Sequence, residues 1–409
     1  VCDDKAFLVS SITNALVHLG HTIHITTHPV VAVERDVKGN ITSISPFTGK
    51  ADSANLEAVM RFELDQQSDP AVVANIITTL TEIINDVRLV VDDWLPMHDK
   101  LVSIIDTIES QNLPISAEDL TENIAFLRWI ANNHFTFIGY RSYALNKNDD
   151  TGLCELIPQK GTGLGSFRDD NCSAESLLPS ILSQQNSDLA LRSNMLVMTK
   201  STSRSTVHRP VNFDYLGLKR FDQQGNVVGE ERFFGLYSSA AYTARIDEIP
   251  LLRRKAQDLR ERIEQLPSSH KGKALQHILN SYPRDEMLQA SVDELYPIIR
   301  GVLETHERHH LRLFLRLDTF GRFATALVYV PRERFHTQFR IKMQNILMRE
   351  FNGSSVDFNV MFSEQPLARV QLTVHGKDIH NTPFDINDIE QQMRDAMLAW
   401  SDHLHHALN

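Results

Sequence analysis

Between Val292 and Leu317 the apolar period of this chain changes, and that change fixes its fold class. Val292, Leu295, Tyr296, Ile299, Val302 and Leu303 recur at helical spacing. Leu311, Leu313, Leu315 and Leu317 then alternate as in a strand that buries one face. A chain that switches period so abruptly has to pack helices against a sheet, which is an α+β layer arrangement.

The same switch occurs near the start. Phe7, Leu8, Ile12, Leu16 and Leu19 form a helical stripe. The β-branched "HTIHITTHPVVAVERDVKGNITSIS" that follows predicts a hairpin turning at Lys38-Gly39-Asn40. A third strand is expected over residues 56–64, and a long helix opens at Asp69-Pro70, a cap and first-turn pair. This is most of a βαββαβ unit, with its first strand expected upstream of Val1. The absence of an initial Met agrees, and the chain reads as a piece of a longer one.

The middle is read as one antiparallel sheet with helices. A helix capped by Ser116 precedes strands in "HFTFIGYRSYAL" and "LCELIP". A Ser/Asn/Gln-rich stretch (170–194) separates these from "NMLVMTKS", "RSTVHRP", "DYLGLKRFD" and "GNVVGEERFFGLY", with a hairpin turn at Gly225-Asn226. From Ile249 three helical stripes follow. Then come two strands, a helix starting near Pro331, two more strands and a final helix from Asp385. The expected domains are 1–112, 113–245, a helical connector 246–290, and 291–409.

Composition narrows the function. Formal charge is −11, which opposes general nucleic-acid binding, since phosphate neutralisation needs a basic face. Cys2, Cys154 and Cys172 show no C-x-x-C spacing and read as free thiols of a reducing, cytoplasmic compartment. No apolar run approaches the ~20 residues needed to span a bilayer, so no membrane partner is expected.

Several strings invite a chemical reading. His306-Glu307-Arg308-His309-His310 is formally H-E-x-x-H, the string of zinc hydrolases. Such a site needs both histidines on one face of a continuing helix and a third ligand. Here the helical stripe stops at Leu303, and a solvated turn is the simpler reading. "KGTGLGSF" offers Gly161, Gly163 and Gly165, glycines that can admit a phosphate. No helix opens directly after them, which favours a connecting loop. Of His18, His21, His24 and His28, strand alternation leaves at most two on one face. No metal site is therefore assigned. Arg284, Asp285 and Glu286 in "YPRDEMLQ" suit either a helix start or a polar contact between domains. Arg332 and Arg334 in "VPRERF" sit where a strand gives way to a helix, a place that can receive a carboxylate.

"DKAFLVSSI", "NHFTFIGYR", "GTGLGSFRDD", "YPRDEMLQ" and "VYVPRERF" together resemble segments of the large bacterial NAD-dependent glutamate dehydrogenases, in the same order. The resemblance implies the N-terminal, non-catalytic region of a longer subunit. It also implies ACT-like βαββαβ (ferredoxin-like) modules flanking a PAS-like α+β domain. Ser10 stands where the family usually has Asp in "FLVDS". No Rossmann fingerprint or catalytic Lys is visible, so no catalytic and no cofactor-binding residue is assigned; NAD belongs to the parent enzyme. That enzyme would convert L-glutamate, NAD and water to 2-oxoglutarate, ammonium and NADH. The implied partners are the rest of the chain, with its catalytic domain, further copies in a homo-oligomer, and an amino-acid effector. Asp4, Lys5 and Phe7, with Arg332 and Arg334, are the expected effector-binding residues. Arg284, Asp285 and Glu286 are the expected interdomain contacts. Two alternatives are a purely structural oligomerisation scaffold and, from another class, a zinc hydrolase.

Overall fold

The computed structural model describes residues 1–47, 55–148, 151, 153–168, 184–191, 194–264, 267–305, 310–362, 366–376 and 379–397. Two compact units, Val1–Thr243 and Ala244–Asn409, divide the chain.

The first unit opens with β1 (Cys2–Asp3), α1 (Leu8–His18), β2 (Ile23–Thr27), β3 (Val30–Arg35), β4 (Ile41–Pro46), β5 (Asn55–Ala58), β6 (Arg61–Leu64) and α2 (Pro70–Asp92). The antiparallel order is β1-β5-β3-β4, and β2 pairs with β6 apart from it. Asp36 builds the β3–β4 turn by accepting the Lys38 and Asn40 N–H groups, with Gly39 at φ 85°. The strand expected over 56–64 is two strands, because the ladder breaks opposite Pro29, which has no N–H to give. Asp69 caps α2 by accepting the Ala71 N–H at 2.8 Å.

The unit continues through α3 (Trp94–Ser110), α4 (Ala117–Trp129), β7 (Phe135–Lys147), β8 (Cys154–Pro158), β9 (Leu164–Gly165), α5 (Gln184–Leu191), β10 (Leu196–Arg204), β11 (Asn212–Phe221), β12 (Val227–Tyr237) and α6 (Ser239–Thr243). The sheet runs β10-β11-β12-β7-β8, with β9 also on β7. "RSTVHRP" is not a strand of its own. Arg204 ends β10, and the rest turns, with Ser205 Oγ donating to the Val207 carbonyl at 2.6 Å. Leu8, Ile12 and Leu16 of α1 and Ile83, Val87 and Val90 of α2 share one core with Ile138, Phe213, Tyr215 and Phe234 of this sheet. The first module is thus built onto the central sheet through a common apolar layer.

The second unit holds α7 (Leu252–Ile263), α8 (His270–Ser281), α9 (Arg284–Gln289), α10 (Val292–Thr305), β13 (Arg312–Leu317), β14 (Phe323–Pro331), α11 (Thr337–Glu350), β15 (Ser355–Met361), β16 (Leu367–His375) and α12 (Ile386–Met397). Its sheet is antiparallel in the order β13-β14-β16-β15. Phe339, Met343 and Leu347 of α11 and Ile389 and Met393 of α12 cover Val328, Val370, Leu372 and Val374. The element order is ββαββα, the succession read from the sequence. The strand neighbours are those of βαββαβ entered one helix later.

That order links the two modules. In each, the strand that leads into a helix pairs with a later strand, which pairs in turn with a strand lying between the two in sequence: β1-β5-β3 and β14-β16-β15. The pattern is shared although no sequence repeat is visible.

The glycine string of residues 161–165 is a packing device. A Cβ on Gly163 would lie 1.8 Å from the Phe167 carbonyl oxygen, and one on Gly165 would lie 2.3 Å from that of Ile138. Across the sheet, a Cβ on Gly139 would strike the Phe167 ring at 2.1 Å. Gly161 has open space around it and a φ of 72°. Gly161→Ala should therefore cost only the left-handed backbone penalty, about 1 kcal/mol. Gly163→Ala should cost clearly more, on the order of 3 kcal/mol, because a backbone has to move. Urea unfolding of the two variants checks this; equal losses would contradict the close approach.

Candidate functional site

The residues expected to bind an effector fall at two corners. At the first, Asp4 follows β1, and its N–H donates to the Leu56 carbonyl at 2.9 Å. Its carboxylate lies 3.7 Å from His28 Nε2. Lys5 reaches α2, with Nζ 2.7 Å from Asp92 Oδ1. Phe7 stands at the start of α1 with φ 70°. Ser10 and Ser11 donate their hydroxyls to its carbonyl at 3.0 and 2.7 Å. Ser10 thus makes a local backbone contact where the family usually has Asp.

At the second corner, Arg332 and Arg334 lie exposed in a tight turn between β14 and α11. The Arg332 guanidinium sits 5.7 Å from the Phe362 ring centroid, and its N–H donates to the Pro366 carbonyl. This corner, β14 to α11, takes the same place in its module as β1 to α1 does in the other. Sequence reading reached both sets of residues but not this equivalence. It is a property of strand order and leaves no trace in residue spacing.

Arg284, Asp285 and Glu286 are buried on α9. Glu286 accepts from Arg316 Nε of β13 at 2.7 Å and from Thr325 Oγ1 of β14 at 2.8 Å. Arg316 also donates to Gln289 at 3.3 Å. Arg284 spends its guanidinium on the Leu279, Asn280, Tyr282 and Ala244 carbonyls. The motif joins the helices to the sheet that follows them.

Lys255 of α7 completes this joint. Its ammonium donates to the Met287, Leu288 and Ala290 carbonyls at 2.9, 3.0 and 2.7 Å, closing the end of α9. Burial draws the Lys255 pKa down to about 8, against the pull of Glu294, with Arg316 adding to the fall. This residue was not singled out from the sequence. Its one signal is a place on the apolar side of "LLRRKAQDL", next to Ala256.

Three consecutive charges of β12 were also missed. Glu231 accepts from Tyr140 and from Ser142 Oγ, while Glu230 accepts from Tyr215 and Arg232. Gly217 leaves room for Glu230, since a Cβ there would lie 1.8 Å from its Oε1. Arg232 lies over the Tyr143 ring at 4.1 Å. Alternation sends these neighbours to opposite faces, so both faces of the sheet carry a buried carboxylate.

The glycine string does not present a phosphate cradle. Gly165 N–H donates to Asp93 Oδ2 at 2.7 Å, and Arg168 donates to both Asp93 oxygens. Burial pushes the Asp93 carboxyl up, but Arg168 and Gly165 together outweigh it and hold it below the usual range. A fixed carboxylate at those N–H groups repels an anion. His306 to His309 lie outside the described residues, and His310 is half-buried. Among the described residues no group of three His, Cys, Asp or Glu could hold a metal ion, and no helix is long and apolar enough to cross a membrane.

Three family models match in chain order: the glutamate dehydrogenase ACT1 domain over residues 1–80, helical motif 1 over 249–308 and the ACT2 domain over 312–401. An NAD-specific glutamate dehydrogenase of Halomonas elongata is 33% identical over 404 residues, covering 98% of this chain and 25% of that protein. That of Pseudomonas aeruginosa is 32% identical over 406 residues, covering 98% and 24%. That of Mycobacterium tuberculosis is 27% identical over 417 residues, covering 99% and 24%. This chain thus spans about a quarter of the length of the curated relatives it matches. A solved periplasmic sensory domain of the Campylobacter jejuni chemoreceptor Tlp1 aligns at 10% identity over 75% of this chain and 95% of its own; its TM-score of 0.20 is too low to carry an argument.

The Lys255 contacts make a direct prediction. Its folded pKa lies below the ordinary 10.5, so the unfolded chain binds more protons between about pH 8 and pH 10.5. Stability should therefore rise with pH across that window, by up to ~1.4 kcal/mol per unit. Lys255→Met should remove the rise and cost about 1–3 kcal/mol near pH 7, because buried carbonyls lose their donor. Urea titrations at a series of pH values check both.

Proposed function

This chain belongs to the family of NAD-specific glutamate dehydrogenases, and from that premise we propose that it is a regulatory and assembly region which senses an amino acid. In this reading the parent protein oxidises L-glutamate with NAD and water to 2-oxoglutarate, ammonium and NADH in the cytoplasm. Catalysis and NAD binding then belong to other parts of that longer chain. The central domain is read as PAS-like. Its sheet order, β10-β11-β12-β7-β8, supports that reading, since the first strand of the domain lies beside the last.

The observation that carries the proposal is the equivalence of the two strand-to-helix corners. One holds Asp4, Lys5 and Phe7; the other holds Arg332 and Arg334. An amino acid offers a carboxylate to Lys5 or the arginines and an ammonium to Asp4. Lys5 is already bound to Asp92 of α2. A ligand carboxylate would compete for that ammonium and change how α2 is held against β1. Binding that differs between two arrangements shifts their populations, and by reciprocity the catalytic state alters effector affinity. Arg284, Asp285 and Glu286 would transmit rather than bind, as contacts between the helices and the second module.

A scaffold reading keeps the modules but gives them only assembly to do. Calorimetry with a panel of amino acids and small carboxylates, beside sedimentation of the same samples, separates the two. The sensing reading expects saturable binding by at least one amino acid, weakened about tenfold or more by Lys5→Met or by Arg332→Ala with Arg334→Ala. Self-association with no binding across the panel would support the scaffold and contradict sensing.

A further inference from the structure

The tip between β10 and β11, residues 205–210, is wedged into the first module. Val207 is fully buried in the core that α1 and α2 line. Thr206 Oγ1 donates to Asp86 Oδ2 of α2 at 2.7 Å. His208 holds α1 through its backbone: its N–H donates to Ser11 Oγ at 2.9 Å, and its carbonyl accepts from Asn14 Nδ2 at 2.8 Å. Its ring lies against Phe7, with centroids 4.8 Å apart.

Both members of that ring pair are strained. Phe7 and His208 each have φ 70°, a region that costs a non-glycine residue about 1–2 kcal/mol. Such outliers persist only where surrounding contacts hold them, and two of them touch here. Among the contacts that hold them are hydrogen bonds between α1 side chains and the His208 backbone.

The charge that can change is on His208. Its Nδ1 is buried and has no hydrogen-bond partner. The groups around it cannot stabilise a cation. From α1 come Phe7, Ser11 and Asn14, all uncharged, and the positive end of the helix. From the tip itself comes Arg209, whose Nη2 is fixed on the Tyr237 carbonyl of β12 at 2.8 Å. From α2 comes Asp86, already engaged by Thr206 and pushed toward its neutral form chiefly by burial.

We propose that residues 205–210 form an acid-sensitive latch between the first module and the central sheet, closed while His208 is neutral and released when it is protonated. Burial first, and then Arg209, lower the His208 pKa in the closed state. The open state takes up a proton near the ordinary pKa, so closure is fully favoured above about pH 6.5 and weakens as pH falls below it. The latch needs no effector, and it stands or falls apart from the sensing proposal.

Hydrogen exchange on the intact 409-residue chain tests it. Between about pH 7.5 and pH 5.5, after correction for the intrinsic rate, the amides of α1 and the tip should become about tenfold less protected, while those of β11 and β12 hold. His208→Asn keeps tolerance for the left-handed backbone, and His208→Phe keeps the ring; neither titrates, and both should abolish the pH effect. A side-chain NMR titration of the native protein should place His208 below the ordinary value. Protection that does not change with pH, a pH effect that survives in either variant, or an ordinary or raised His208 titration would each overturn the latch.

Discussion

The second unit depends on one buried carboxylate. Glu286 lies 3% exposed on α9 and holds Arg316 of β13 and Thr325 of β14. Leaving either charge alone in that interior costs about 3–5 kcal/mol. The pair therefore fixes where the helices sit on the sheet more than it adds net stability. Around it, Arg284 and Lys255 bond backbone carbonyls at the ends of α8 and α9. A six-residue helix could not hold its place by propensity alone; here its flanking segments are fastened by fixed cations.

The first unit is joined differently. α1 and α2 meet the central sheet through a shared apolar core, and polar groups only trim its edges. The Asp93 carboxylate is the exception, holding Gly165 and Arg168 at the junction of α2 and α3. The Glu286 joint is held by a buried ion pair, and the His208 tip by contacts around strained backbone.

Much of this was legible in the sequence. The helical stripes of α1 and α10 and the alternation of β13 announced their elements, and Asp69 and Ser116 announced their caps. Five ordered strings pointed to the family. What stayed hidden was set by long-range pairing. Nothing near Val59 shows that the strand breaks, because the cause is Pro29, in the gap between β2 and β3. "RSTVHRP" has the composition of a strand, yet it is a turn whose Val207 fills a core made by other elements. The glycines of "GTGLG" looked available to a ligand until Phe167 and Ile138 were seen to need their space. Burial of the charged residues inside "GEERFF" left no mark in their spacing, and that of Lys255 in "LRRKAQ" only its place beside Ala256, because most of their partners lie on other strands and helices.

Joined at Glu286, α7–α10 and β13–β16 form one cooperative body. Native-state hydrogen exchange across a urea series tests it most directly, with the intact chain compared with Glu286→Gln. In the native chain the innermost amides of α8 and α10 and those of β14 and β16 should open together, with one common free energy and one urea dependence. In Glu286→Gln the helices should open first, ahead of the sheet. Helices that already open independently of β14 and β16 in the native chain would contradict the claim.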